Sequence, residues 1–242
     1  HASKKELQSV RGKEIGLIFQ NPLAALNPVF TIGNQLVETI CLHKKCSKEA
    51  AKEIAIALLK RVNIPDSDTR FNDYPHQFSM GMCQRIVIAL TLSINPELVI
   101  ADEPTASLDV TIQAQIISLL NDLKEEFNMS ILLISHDLGI IAQNCDEVLI
   151  MYLGSIVEIG TPENIFKNPQ HPYTKALISS IPSIDPSNKQ KATLLKGEIP
   201  SPMNLPKGCS FHPRCPISNS ECQKKRPPLI ENAFTEAACF LI

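Results

Sequence analysis

An α/β layer built on a largely parallel sheet is the fold this sequence predicts, and three observations carry it. Apolar, β-rich runs at 15–19, 98–101, 131–134 and 148–152 are separated by segments long enough for helices. Each run is continuously apolar, the pattern of strands covered on both faces. Composition then changes near residue 161, after which twelve of the eighteen prolines and four of the eight cysteines fall, so regular structure should thin out there.

The elements follow in order. The first residue is His1, and the chain enters the 15–19 run almost at once, as a start inside a longer parent would. A long helical insertion separates the first two strands, with pieces at 32–43, at 47–62 behind Ser47 as N-cap, and at 79–93. Residues 183–226 carry more lysine and arginine than acid and read as a solvated arm. The expected division is a core over 1–160, its helical subdomain at about 31–95, and a separate extension over 161–242.

Bulk properties exclude several classes. A formal net charge of −2 gives no global field to attract nucleic acid, so none is expected as partner. The apolar runs are far shorter than the roughly 20 residues a bilayer crossing needs. No basic, apolar and small-residue export signal opens the sequence, which predicts a cytoplasmic address. In that compartment the eight cysteines read as free thiols or metal ligands, not as disulfides.

The most informative stretch is LVIADEPTASLD, from Leu98 to Asp109. A buried strand there ends in two carboxylates, and ligands of open α/β sheets sit beyond the carboxyl ends of the strands. Asp102 would hold Mg²⁺ while Glu103 polarises an attacking water, the division of labour phosphoryl transfer needs. The pair runs on through Pro104, Thr105, Ser107, Leu108 and Asp109, and the next apolar strand delivers Ser135, His136 and Asp137.

In that order and spacing these residues resemble the Walker B strand, the D-loop and the switch histidine of ABC ATPases. Gln20, in IFQNP, resembles the family's Q-loop glutamine, and LNPVFTIG after it is wording that peptide-importer members use. FSMGMCQRI, from Phe78 to Ile86, resembles the signature motif, with Ser79, Gly81, Gln84 and Arg85 matching. Ser79 at a helix start would present first-turn N–H groups to an anion. Met80 departs from the family's usual glycine and would crowd that approach, and Cys83 replaces a common basic or polar residue.

The resemblance implies an ABC-type P-loop NTPase core, a parallel sheet plus helical subdomain, here lacking its first strands. The site it implies has Glu103 and His136 as catalytic residues. Gln20, Ser79, Gly81, Gln84, Asp102 and Asp109 would contact ATP or its Mg²⁺. Gln20, Asp102, Glu103 and His136 should surround one pocket sized for a triphosphate and its metal.

No G-x-x-x-x-G-K-[ST] occurs anywhere; the one Gly-Lys pair, Gly12 and Lys13, is followed by Glu14. Without that nest of backbone N–H groups these residues are expected to bind ATP poorly and not to hydrolyse it.

Cys209, Cys215, Cys222 and Cys239 have the spacing C-x5-C-x6-C-x16-C, which suits zinc or an iron–sulfur cluster and equally four free thiols. GCSFHPRCP and HPYTKAL resemble the carboxyl-terminal extension of oligopeptide, dipeptide and nickel importer ATPases. Some members hold a [4Fe–4S] cluster on the matching cysteines, so the resemblance implies one here, with Zn²⁺ as the alternative. Cys41, Cys46, Cys83 and Cys145 read as structural thiols.

The implied function is that of an ATP-binding, ATP-hydrolysing subunit of an importer for peptides or nickel, peripheral at the cytoplasmic face of the membrane. Its partners would be a second ABC subunit, identical or not, two permease subunits and, indirectly, a solute-binding protein. The competing readings are a soluble ABC ATPase outside transport and a vestigial metal-binding or interaction protein.

Overall fold

The computed structural model describes residues 3–181 and 195–242; residues 183–194 of the basic stretch lie outside them. The chain divides into two compact units, one ending at His136 and the other starting at Asp137.

In the first unit, helix α1 (Lys4–Val10) starts on a Ser3–Glu6 capping box and precedes strand β1 (Ile15–Ile18). Five helices follow: α2 (Pro22–Ala25), α3 (Ile32–Lys44), α4 (Lys48–Arg61), α5 (Ser67–Arg70) and α6 (Met80–Leu92), with a 3₁₀ turn at Pro75–Gln77 before the last. Strand β2 (Leu98–Asp102), helix α7 (Val110–Phe127) and strand β3 (Ser130–Ile134) complete the unit.

Each long helix begins where a short polar side chain closes its first turn. Thr31 accepts from the Asn34 amide, Ser47 from Ala50, Ser79 from Met82 and Asp109 from Ile112. Ile32, Leu36 and Ile40 of α3 recur every four residues, as do Ala51, Ala55 and Leu59 of α4, and these stripes are buried against α6. Among the residues of α6, Cys83, Ile86, Ile88 and Ala89 are wholly buried, which makes it the central helix of the core. Left-handed residues stop two helices, Lys45 at φ 50° after α3 and Asn128 at φ 49° after α7.

The sheet runs β1–β2–β3, all parallel, with Ile18 beside Ala101 and Asp102 beside Ile134. Its inner face, Ile18, Val99 and Ala101, joins the helical core. The other face departs from expectation. Leu17, Phe19, Leu132 and Ile134 are exposed, because nothing among the described residues of this unit covers that side of β1 and β3.

The second unit holds α8 (Leu138–Asn144), β4 (Val148–Tyr152), β5 (Ser155–Gly160), α9 (Pro162–Lys167), α10 (Pro172–Ser179), β6 (Ile230–Glu231) and β7 (Glu236–Ala237). The 148–152 run is therefore not a fourth parallel strand. It pairs antiparallel with β5 in a separate sheet of order β4–β5–β7–β6. The reason is local: Leu153 and Gly154 both take positive φ, 46° and 73°, the two-residue reversal that returns a strand onto itself. No helix among the described residues is long and apolar enough to cross a membrane.

Gly33, in the first turn of α3, donates its amide to the Phe71 carbonyl at 2.9 Å, and a Cβ there would overlap both that carbonyl and the Phe71 ring. Gly33→Ala should cost about 1–3 kcal/mol, the range of an overpacked site, measured as a lower urea midpoint with unchanged slope.

Candidate functional site

Three strand tips carry the first candidate site. Gln20 stands two residues beyond the end of β1, Glu103 one beyond β2, and His136 two beyond β3. The Gln20 amide Nε2 donates to Glu103 Oε2 at 2.5 Å, and His136 Nδ1 lies 3.0 Å from Glu103 Oε1. A carboxylate can only accept, so His136 carries its proton on Nδ1 when this contact forms. Glu103 is thus held at both oxygens by side chains 83 and 33 residues away.

Glu103 has φ 44°, a left-handed conformation that costs a non-glycine residue roughly 1–3 kcal/mol. Its amide donates to the Ile134 carbonyl at 2.9 Å and its carbonyl accepts from Ala106 at 3.2 Å, so the backbone turns sharply off β2 while still bonded to β3. The turn continues to Thr105, whose carbonyl accepts from Gln113 Nε2 of α7 at 3.0 Å. Gln113 went unnoticed in the sequence, where nothing separates it from any other polar helix residue.

Asp102, the last residue of β2, is exposed beside Glu103. With its NH₂ turned to Glu103, the Gln20 amide presents its oxygen elsewhere. An amide oxygen and a carboxylate are the hard donors Mg²⁺ takes, so this end of the sheet fits a magnesium ion chemically. The expected enclosing pocket, however, is not what these residues form. They make an open ledge, on which the His136 side chain is 72% exposed.

A cavity of about 1030 Å³ lies instead along the starts of α6 and α7, lined by Ser79, Met80, Gly81, Arg85, Ser107 and Asp109 among others. The signature-like turn and the D-loop-like turn therefore face one groove. Met80 is partly exposed on its wall, where the expected crowding would occur. Gln84 does not reach it. That side chain is 1% exposed inside the core, and its Nε2 has no hydrogen-bond partner. A helical turn that buries Cys83 and Ile86 carries Gln84 inward with them, away from the groove that Ser79 and Gly81 line.

In the second unit Cys209, Cys215, Cys222 and Cys239 line one small cavity with His171, Phe211 and His212. All four are free thiols. Burial pushes the thiols of Cys209, Cys215 and Cys239 up, the neighbouring thiols add to it, and nearby backbone amides oppose it. The four side chains feel one another, yet among the described residues no three metal-ligating groups approach closely enough to share an ion. At about 10 Å³ the space admits one water, far short of a four-iron cluster. His212 Nδ1 contacts the Cys209 carbonyl at 2.9 Å. Cys83 is buried in α6 with its Sγ 3.4 Å from the Pro75 carbonyl.

The lobe around these thiols is fastened by Glu158, a wholly buried carboxylate of β5. It accepts from the Gln170 amide at 2.7 Å, the His171 amide at 3.0 Å and the Thr235 hydroxyl at 2.8 Å. Strand alternation gave no signal for it, since the apolar Val157 and Ile159 on either side would turn Glu158 outward. His171, Tyr152 and Tyr173 all pack their rings on Phe211.

Comparison with known proteins decides the family. Residues 1–106 match the ABC transporter model, and residues 157–222 match the model for the oligopeptide/dipeptide transporter, C-terminal region. Oligopeptide transport ATP-binding protein AppD of Bacillus subtilis is 46% identical over 96% of this chain and 71% of its own length. The chain belongs to the oligopeptide/dipeptide transport ATP-binding protein family.

OppD of the same organism is 48% identical over 96% of this chain and 65% of its own length, and OppD of Salmonella typhimurium 45% identical over 98% and 70%. The chain thus spans about two thirds of the length of these relatives. Among solved structures, a dimeric ATP-binding cassette, MJ0796, in a post-hydrolysis state with ADP and Pi aligns with TM-score 0.59 and 26% identity over 66% of this chain and 68% of that one. The cbiO1 protein of Clostridium perfringens, part of the cbiONQ transporter complex, gives 0.61 and 27% over 69% and 64%. The fold is that of an ABC ATPase.

Burial lowers the His171 pKa from 6.5 to about 4, with Lys175 adding to the shift. The folded form therefore binds this proton more weakly than the unfolded chain. The stability this neutral ring contributes is fully present above about pH 6.5 and is lost as pH falls toward 4. His171→Asn keeps an acceptor for the Tyr173 amide, which His171 Nδ1 now provides at 3.1 Å, but does not titrate. Its thermal midpoint should fall less between pH 7 and pH 5 than that of the parent chain.

Proposed function

We propose that this chain acts within the ATP-binding, ATP-hydrolysing subunit of an importer that takes up peptides, and that these residues alone do not hydrolyse ATP. The observation that carries the reading is the Glu103 carboxylate fixed between Gln20 and His136 at the tips of three parallel strands. In that position Glu103 orients and polarises an attacking water. His136, exposed on the other side of it, stabilises charge developing on the γ-phosphate. Asp102 and the Gln20 oxygen would hold Mg²⁺, which would supply charge neutralisation for the phosphates when bound. Ser79 and Gly81 offer the first-turn amides of α6 to a phosphate held by a second ABC subunit, with Asp109 lining the same groove.

The relatives' names support peptides as the solute class. The partners are then a second ABC subunit, two permease subunits and a solute-binding protein, and the chain works at the cytoplasmic face of the membrane. We further propose that the four carboxyl-terminal thiols take a metal or iron–sulfur group; four soft donors lining one space support this. Anaerobic incubation with iron and sulfide should then give visible charge-transfer absorption that Cys222→Ser removes.

The 242 residues contain no G-x-x-x-x-G-K-[ST], so purified alone they should turn over ATP no faster than a Glu103→Gln control. A chimera in which a strand–G-x-x-x-x-G-K-S–helix segment from an ABC cassette precedes Ser3 should hydrolyse ATP, and Glu103→Gln in it should lower kcat at least 100-fold. Turnover unaffected by Glu103→Gln would refute the assignment.

A further inference from the structure

Arg70, the last residue of α5, touches four residues that flank the turn bearing Ser79. Its guanidinium carbon lies 4.1 Å from the centroid of the Phe78 ring. Nε donates to the Asp73 carboxylate at 3.2 Å, one terminal nitrogen to the Gln77 carbonyl at 3.1 Å, and the other to Met82 Sδ at 3.5 Å. One rigid, planar cation thus contacts Asp73, Gln77, Phe78 and Met82, residues that bracket Ser79, Met80 and Gly81 from both sides. The side chains of the Arg70–Asp73 pair are only 23% and 30% exposed, so these contacts are partly shielded from solvent and stronger than those of a surface pair.

The base on which Arg70 stands is itself anchored. The Phe71 and Asp73 carbonyls accept from the first amides of α3, Gly33 at 2.9 Å and Ile32 at 3.0 Å. Asp73 therefore binds Arg70 with its carboxylate and α3 with its backbone. The start of α3 is in turn tied to the chain just after Gln20, since Gln35 accepts from the Asn27 amide at 2.9 Å and donates to the Asn27 and Phe30 carbonyls at 3.0 Å. A continuous set of short contacts runs from the Asn27 loop through α3 to Arg70 and on to the Ser79 turn.

We infer that Arg70 is a positioning residue that holds the Ser79–Gly81 turn in the geometry that meets a phosphate, using the Phe71–Asp73 backbone on α3 as its support. Its functional meaning rests on the nucleotide-site reading of that turn; its positioning role does not. The Ser79 hydroxyl is engaged with the Met82 amide at 3.3 Å, so the turn is closed before any ligand arrives. The planar fork of arginine matters here, because lysine can pair with Asp73 but cannot stack on Phe78 while also reaching Gln77.

Amide hydrogen exchange on this chain tests the positioning role directly. In Arg70→Ala the hydrogen-bonded amides of Phe78, Met82 and Cys83 should exchange at least tenfold faster, while those of β2 and α7 keep parental rates; Arg70→Lys should recover part of the protection. Unchanged exchange at Phe78, Met82 and Cys83, or acceleration equal to that in α7, overturns the inference, and Arg70→Lys decides it in the same way where the alanine variant does not fold. In the phosphate-loop chimera, Arg70→Ala should lower kcat at least tenfold with KM for ATP within about twofold. A parental kcat for Arg70→Ala beside a dead Glu103→Gln overturns the role of Arg70 and leaves the nucleotide site standing. A chimera indifferent to Glu103→Gln sinks that site instead, and the exchange data still judge Arg70.

Discussion

Gln20, Glu103 and His136 are distant in the chain and meet because β1, β2 and β3 run parallel in fixed register, with Ile18 beside Ala101 and Asp102 beside Ile134. Strand side chains alternate with a period of two, so a slip of one residue in either pairing would send Glu103 to the wrong face and leave its carboxylate without both partners. Ile18, Val99 and Ala101, all fully buried against the helices, set that register. The hydrophobic core therefore determines the geometry of a charged group that lies outside it. The strained φ of Glu103 is tolerated on the same account, since the β3 backbone holds its amide.

The helical half of the first unit serves the second feature, the groove shared by the starts of α6 and α7. Helix starts are where backbone N–H groups lack partners inside the helix, and Ser79 and Asp109 each close one such turn at the groove's edge. Rigidity at these turns comes from side chains that never face the groove's centre: Gln113 fixes the Thr105 carbonyl, and Arg70 spans the residues around Ser79. In the second unit Glu158 plays the comparable part, joining β5, the start of α10 and Thr235 beside the thiol cavity.

How much of this the sequence disclosed varied with how local its causes are. Helix starts were legible, because Ser47 and Ser79 are short-range devices that precede an apolar period of 3.6. The tips of β1, β2 and β3 were legible too, since polar residues abruptly end continuous apolar runs at Gln20, Asp102 and Ser135. The partner of the 148–152 run was not read, although Leu153 and Gly154 marked a tight reversal. The bare face of β1 and β3 carries no local sign, because Leu17 and Leu132 look the same whether covered or not. The inward turn of Gln84 follows from helical phase, which motif matching does not use, and Arg70 matched no motif at all; its role comes from contacts up to twelve residues away.

Imidazole nitrogen NMR of His136 tests the central arrangement most directly. A ring that gives its Nδ1 proton to Glu103 should show the Nδ1–H tautomer at neutral pH and revert to the ordinary Nε2–H form in Glu103→Ala. An Nε2–H ring in the parent chain, unmoved by that substitution, would mean the strand tips do not bring these side chains together.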